Sequence, residues 1–133
     1  MPRSLGAFFL ATILFMLSPV PALACSCGMS ESARAQVEAT DVIFVGRVIR
    51  TERVLFAENE VVTTFEVREE LKGQIPRIVR IRHPAPVCCL CFVTFTRGAE
   101  GLVFAHRYEG RLHTSLCSAP HFPEAEYRAA LRP

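Results

Sequence analysis

The chain has 133 residues, a formal net charge of +2 and six cysteines. This length fits a single small domain. Without Arg3, which lies in an apolar leader, the balance is 14 basic against 13 acidic residues. No basic patch with interleaved aromatic residues stands out, so nucleic acid is not an expected partner.

Residues 1–24 are predicted to be a signal peptide. Arg3 supplies positive charge, residues 7–17 form an apolar segment, and Ala22-Leu23-Ala24 matches a small-x-small cleavage site. The apolar run is shorter than the roughly 20 residues of a membrane helix, so we expect no membrane span after processing. The domain, residues 25–133, would then be secreted or periplasmic. The alternatives are an uncleaved anchor and a lipid anchor on Cys25, although Ala22 stands where lipoprotein signals usually carry Leu.

The remaining chain reads as strands between two short helices. Ser30 is predicted to cap a helix that reaches Glu38, and Pro123 to begin a second helix that reaches about Leu131. Five or six short strands are predicted between them, covering residues 41–50, 61–71, 78–83, 92–95, 102–106 and 112–116. Glycine turns are predicted at Lys72-Gly73, Arg97-Gly98 and Glu109-Gly110. This order favours a mainly β fold, a small OB-fold-like closed barrel with flanking short helices.

All six cysteines lie in the predicted mature domain: Cys25, Cys27, Cys88, Cys89, Cys91 and Cys117. An even number of cysteines in an exported chain indicates a disulfide framework. Spacing alone does not choose among the connectivities. We therefore expect a disulfide-stapled barrel whose bridges compensate for a small core.

Four segments together resemble a known family. They are Cys25-Ser26-Cys27 at the predicted mature N-terminus, Asp41-Val42-Ile43, the segment from Phe65 to Gly73, and His113-Thr114-Ser115-Leu116-Cys117. In this order and spacing they are similar to the N-terminal domain of the tissue inhibitors of metalloproteinases, a netrin-like OB-fold family. The resemblance spans residues 25 to about 117.

The resemblance implies a disulfide pattern. It pairs Cys27 with Cys117, and Cys25 with one of Cys88, Cys89 and Cys91. The spacing to Gly98 favours Cys91 as the partner of Cys25, whereas the flanking Ala85-Pro86-Val87 favours Cys88. We prefer Cys91. An additional Cys88–Cys89 pair stays open. The chain departs from the family in lacking a further cysteine near Glu38, a long loop between the first two strands and a second domain.

The predicted N-terminus suggests a function in trans. A catalytic zinc keeps an open position for the reactive water. The α-amine and carbonyl oxygen of Cys25 could chelate that zinc in a target protease and displace the water. By the resemblance, Ser26, Cys27, Gly28 and Met29 would continue along the protease cleft, with Leu90, or Val87 in the other register, beside them.

The sequence therefore predicts a monomeric inhibitor of a zinc metalloproteinase, with no cofactor of its own. No enzymatic motif is present, and His83, His106, His113 and His121 are dispersed without metal-ligand spacing, so we expect no catalysis and solvated or hydrogen-bonded histidines. Two alternatives stay open. One is a non-inhibitory netrin-like envelope or extracellular binding module. The other is a thiol- or metal-handling protein that uses Cys88-Cys89-x-Cys91.

Overall fold

The computed structural model describes residues 25–87 and 91–133. Its order is helix α1 (Ala33–Ala39), strands β1 (Val42–Arg53), β2 (Glu60–Lys72), β3 (Ile78–Pro84), β4 (Glu100–Tyr108) and β5 (Arg111–His113), a 3-10 turn at Leu116–Ser118, and helix α2 (Glu124–Ala130). The predicted leader and Cys88, Cys89 and Leu90 lie outside the described residues. No helix in the described part of the chain is long and apolar enough to cross a membrane.

The five strands close into a barrel in the order β1-β2-β3-β5-β4, and β4 pairs again with β1. All pairs are antiparallel except β3 with β5, which run parallel. The predicted mainly β, OB-like barrel is therefore confirmed. A closed barrel leaves no strand edge free for pairing with another chain.

Two apolar clusters hold the barrel and its helices. The first fills the barrel interior around Phe44, Phe65 and Ile81, each at most 1% exposed. The second lies between the barrel wall and the two helices and centres on Phe104 and Tyr127, whose ring centroids are 4.8 Å apart. The helices thus cover one side of the barrel because β4 presents apolar side chains on both faces.

A bend at Gly46 allows β1 to pair with both β2 and β4, which closes the sheet. The register with β2 shifts between Val45 and Gly46, as it does at a β-bulge. A Cβ atom at Gly46 would lie 2.5 Å from Cε2 of Phe44 and 3.2 Å from Cδ1 of Phe65. Glycine is therefore required by the close approach of two buried rings.

The turns follow the sequence prediction. Gly73, Gly98 and Gly110 all have positive φ angles, between 72° and 81°, a region that glycine enters without steric cost. At Gly73 a Cβ atom would also lie 2.7 Å from the carbonyl oxygen of Asp41.

Three sequence predictions need correction. Ser32, and not Ser30, caps α1, because its Oγ accepts from the N–H of Ala35 at 3.1 Å. The strand predicted over 112–116 ends at His113, and Leu116 belongs to a 3-10 turn.

Residues 92–95 form no strand. Each barrel strand already has two neighbours, so this segment finds no edge with which to pair. Phe95 instead packs its ring edge against Phe65 and His83, at centroid distances of 4.9 and 5.1 Å.

Candidate functional site

Two disulfides fix the start of the described chain to one end of the barrel. Cys25 is bonded to Cys91, with Cα atoms 5.6 Å apart, and Cys27 to Cys117, with Cα atoms 5.1 Å apart. These are the pairs preferred on the resemblance. The sulfur atoms of Cys25, Cys91 and Cys117 all lie within 4.8 Å of one another, so the two bridges form one sulfur cluster.

The segments that receive the bridges are themselves hydrogen-bonded. The N–H of Leu116 donates to the carbonyl oxygen of Cys91 at 3.1 Å. Cys91 and Cys117 are 26 residues apart in the chain, yet this bond and the two bridges hold both against residues 25–27. We call residues 25–29 together with Cys91 and Leu116 the bridged edge.

A buried polar cluster supports the bridged edge from behind. The Gln36 side chain, on α1, donates to the carbonyl oxygen of Ala119 at 2.9 Å and accepts from the Tyr127 hydroxyl. The same hydroxyl accepts from the backbone N–H groups of His121 and Phe122 at 2.8 and 3.0 Å. Because Tyr127 is 0% exposed, these bonds tie the segment after Cys117 to both helices.

Most of the residues predicted to form the inhibitory edge are exposed to solvent. Cys25, Ser26, Gly28 and Met29 are exposed and Cys27 is half-buried. The Cys25 sulfur is used in its bridge, so only its backbone nitrogen and oxygen are available as metal ligands. Leu90, which was also predicted at this edge, lies outside the described residues, as do Cys88 and Cys89, predicted as a possible extra pair.

Exposed apolar side chains accompany the bridges. Met29 follows Cys27 and is 71% exposed, Phe92 follows Cys91, and Leu116 precedes Cys117 and is 46% exposed. Sequence reasoning identified Met29 but missed Phe92 and Leu116, because a large apolar residue beside a half-cystine is ordinarily buried. A grouping of this kind is typical of surfaces that a protein partner covers.

A cleft of about 550 Å³ opens at the same end of the barrel. The β1–β2 turn and the ends of β3 and β5 line it, including Glu60, His83, His113 and Ser115. The Glu60 carboxylate accepts from Arg82 at 2.9 Å and lies 3.9 Å from Nδ1 of His113.

His83 is a structural residue at the floor of that cleft. It is buried, its Nε2 lies 2.7 Å from the Thr63 hydroxyl, and its Nδ1 lies 3.3 Å from the carbonyl oxygen of Pro84. Burial lowers the pKa of His83 below its ordinary value. His121 departs from the expectation of satisfied histidines, because its buried Nε2 has no hydrogen-bond partner among the described residues.

Compared with protein-family models and with curated proteins, the chain matches none. The case for its function therefore rests on the geometry of the bridged edge and on the sequence motifs that lead to it.

Proposed function

We propose that this protein is an inhibitor of zinc metalloproteinases and that the backbone of Cys25 is its zinc-binding group. Cleavage after Ala24 would give Cys25 a free α-amine. The amine nitrogen and the carbonyl oxygen of one residue form a five-membered chelate ring with a metal. Such a chelate would occupy the open coordination position of a catalytic zinc and displace the reactive water.

The observation that carries the proposal is the anchoring of an exposed N-terminal segment by two bridges. Cys25 and Cys27 are both fixed to the barrel, while Cys25 and Ser26 remain exposed. A segment held in this way loses little conformational freedom when it binds, and this raises affinity.

The surroundings support a protein as the target. The exposed side chains of Met29, Phe92 and Leu116 lie within two residues of a bridged cysteine, and they would give a protease cleft an apolar surface to cover. Ser26 lies between the two bridged cysteines and would face the specificity pocket beside the zinc. The protein would act as a monomer outside the cell or in the periplasm.

The first experiment is the intact mass and N-terminal sequence of the exported protein without reduction. The proposal requires a chain that begins at Cys25 with an unmodified amine. Acylation of Cys25, or residues left ahead of it, would remove the chelating group and favour a non-inhibitory netrin-like module. Alkylation of free thiols at Cys88 and Cys89 in the exported protein would favour the thiol- or metal-handling alternative.

The second experiment measures inhibition of a panel of zinc metalloproteinases. The matched control carries one additional alanine ahead of Cys25, which leaves both bridges intact and blocks the chelate. We expect the additional residue to weaken inhibition at least about 100-fold, the loss of one strong polar contact. Equal inhibition by both forms would refute the chelate.

The pH dependence provides an independent test. A free α-amine has a pKa of about 7.7–8.0 and must lose its proton to bind zinc. Inhibition should therefore weaken by about tenfold for each pH unit below about 7, relative to a reference inhibitor that has no amine. Inhibition that does not change between neutral and mildly acidic pH would contradict amine coordination.

The apolar part of the surface is tested by a matched pair of substitutions. Met29→Glu should weaken inhibition because it places a charge in the proposed interface. Ile78→Glu, at an exposed apolar position at the start of β3, should leave inhibition unchanged. Equal effects of the two substitutions would exclude the bridged edge as the contact surface.

A further inference from the structure

Four arginines line one cleft on the barrel wall, further along β3 and β5 than the cleft beside the bridged edge. The cleft has a volume of about 350 Å³ and lies where β3 and the β4–β5 hairpin meet. Its charged lining is Arg80, Arg82, Arg107 and Arg111. These residues lie on three strands, so the sequence shows no basic cluster.

The barrel topology explains why they converge. Along β3, Val79 and Ile81 are buried in the core, whereas Arg80 and Arg82 point outward. Strand β5 runs parallel to β3 with Leu112 opposite Ile81, so continuing this register by one residue places Arg111 beside Arg80.

The fourth arginine comes from the other side of the hairpin. Arg107 is the pairing partner of Leu112 across the β4–β5 hairpin. Arg111 is the residue before Leu112, and both arginines line the cleft.

The positive charge in the cleft is only partly balanced. Arg82 has a carboxylate partner in Glu60 at 2.9 Å, and Arg80 lies 3.9 Å from the carboxylate of Glu52. The Arg107 guanidinium donates to the backbone carbonyl of Gln74 at 2.7 Å, which is a neutral acceptor.

Two of the four guanidinium groups form no salt bridge within residues 25–87 and 91–133, because those of Arg107 and Arg111 have no carboxylate oxygen within 4.0 Å. The Asp41 carboxylate accepts instead from the backbone N–H of Arg107 at 2.8 Å. Like charges gathered in a concave surface repel one another, and an anion that enters the cleft removes this repulsion.

We propose that this cleft binds a ligand with closely spaced phosphate or sulfate groups. Guanidinium groups donate pairs of parallel N–H bonds to such oxyanions and keep their charge at any physiological pH. A volume of about 350 Å³ lies at the lower end of the range for small-molecule sites. Several guanidinium groups around so small a space fit a compact ligand with several oxyanion groups.

The site is separate from the proposed inhibitory surface. Strands β3 and β5 both run from the arginine cleft toward the bridged edge, which they approach at Pro84 and Ser115. No residue lines both the arginine cleft and the cleft beside the bridged edge. Anion binding and protease binding can therefore be measured independently, and failure of one leaves the other intact.

The test is calorimetric titration of the purified, disulfide-bonded protein at about 0.15 M salt, where long-range charge effects are screened. Inorganic tripolyphosphate and sucrose octasulfate serve as the two probes and distinguish phosphate from sulfate recognition. We expect at least one probe to bind, and Arg107→Gln and Arg111→Gln each to weaken binding by at least about tenfold.

The matched control is Arg34→Gln, which removes an exposed positive charge on α1. It should leave binding unchanged. Failure of both probes to bind below about 1 mM would overturn the proposal, as would an equal loss of affinity in Arg34→Gln. Each substitution changes only a surface side chain. A thermal unfolding measurement on each variant establishes that the variant is folded.

Discussion

Removal of either disulfide should cost the same free energy of unfolding, although the bridges span different lengths of chain. The Cys25–Cys91 bridge spans 66 residues and the Cys27–Cys117 bridge spans 90. Taken separately in the chain-entropy model, these loops correspond to about 4.4 and about 4.6 kcal/mol. The two bridges overlap in sequence, however, and each shortens the loop that the other closes.

The shortened loop gives the magnitude. With one bridge intact, the path between the other two cysteines runs through it and comprises 2 residues at the N-terminal side and 26 between Cys91 and Cys117. A loop of about 28 residues corresponds to about 3.6 kcal/mol, whichever bridge is removed. Removal of both bridges should cost about 8 kcal/mol, which is comparable with the whole stability of a small domain.

The assay is equilibrium denaturation by urea of three variants. The first replaces Cys25 and Cys91 by serine, the second replaces Cys27 and Cys117, and the third replaces all four cysteines. The two single-bridge variants should lose similar free energies, and the variant without bridges should be largely unfolded. A difference of more than about 2 kcal/mol between the single-bridge variants would refute the shared-loop reasoning. A loss below about 1 kcal/mol in both would show that unfolded-chain entropy does not govern these bridges.

Three further predictions concern the barrel and its helices. Gly46→Ala should lower the free energy of unfolding by about 1–3 kcal/mol because the new methyl group meets buried rings. The control is Gly101→Ala, in which no atom lies within 4 Å of the new Cβ. It should change the free energy of unfolding by less than about 0.5 kcal/mol. Tyr127→Phe should cost about 1–3 kcal/mol in thermal or urea unfolding, because it leaves buried partners unsatisfied; a similar loss in Tyr108→Phe, which is 63% exposed, would refute this cause. Burial lowers the pKa of His83 in the folded state, so the unfolded state binds the proton first as the pH falls. The free energy of unfolding should therefore fall as pH decreases below about 6.5, by up to about 1.4 kcal/mol per pH unit. A His83→Gln variant whose stability falls equally steeply with pH would exclude His83 as the source.

Local sequence signals predicted most of the barrel because they depend on short-range chemistry. Apolar and alternating runs, with glycine turns after some of them, located the ends of β1 to β4 to within three residues. The same signals failed at residues 92–95, where a strand-like pattern has no partner because the barrel is already closed. They also extended β5 to Leu116, since alternation does not show where a strand leaves the sheet.

The sequence by itself determined the mainly β character, the glycine turns and the candidate zinc-binding group at Cys25, because these follow from residue types and their order. Only the tertiary structure decided which side chains meet. It gathered Arg80, Arg82, Arg107 and Arg111 from three strands, and it left Phe92 and Leu116 exposed beside bridged cysteines. The physical reason is that register and closure in a barrel are set by the packing of the whole core, so long-range neighbours are not encoded in any local pattern.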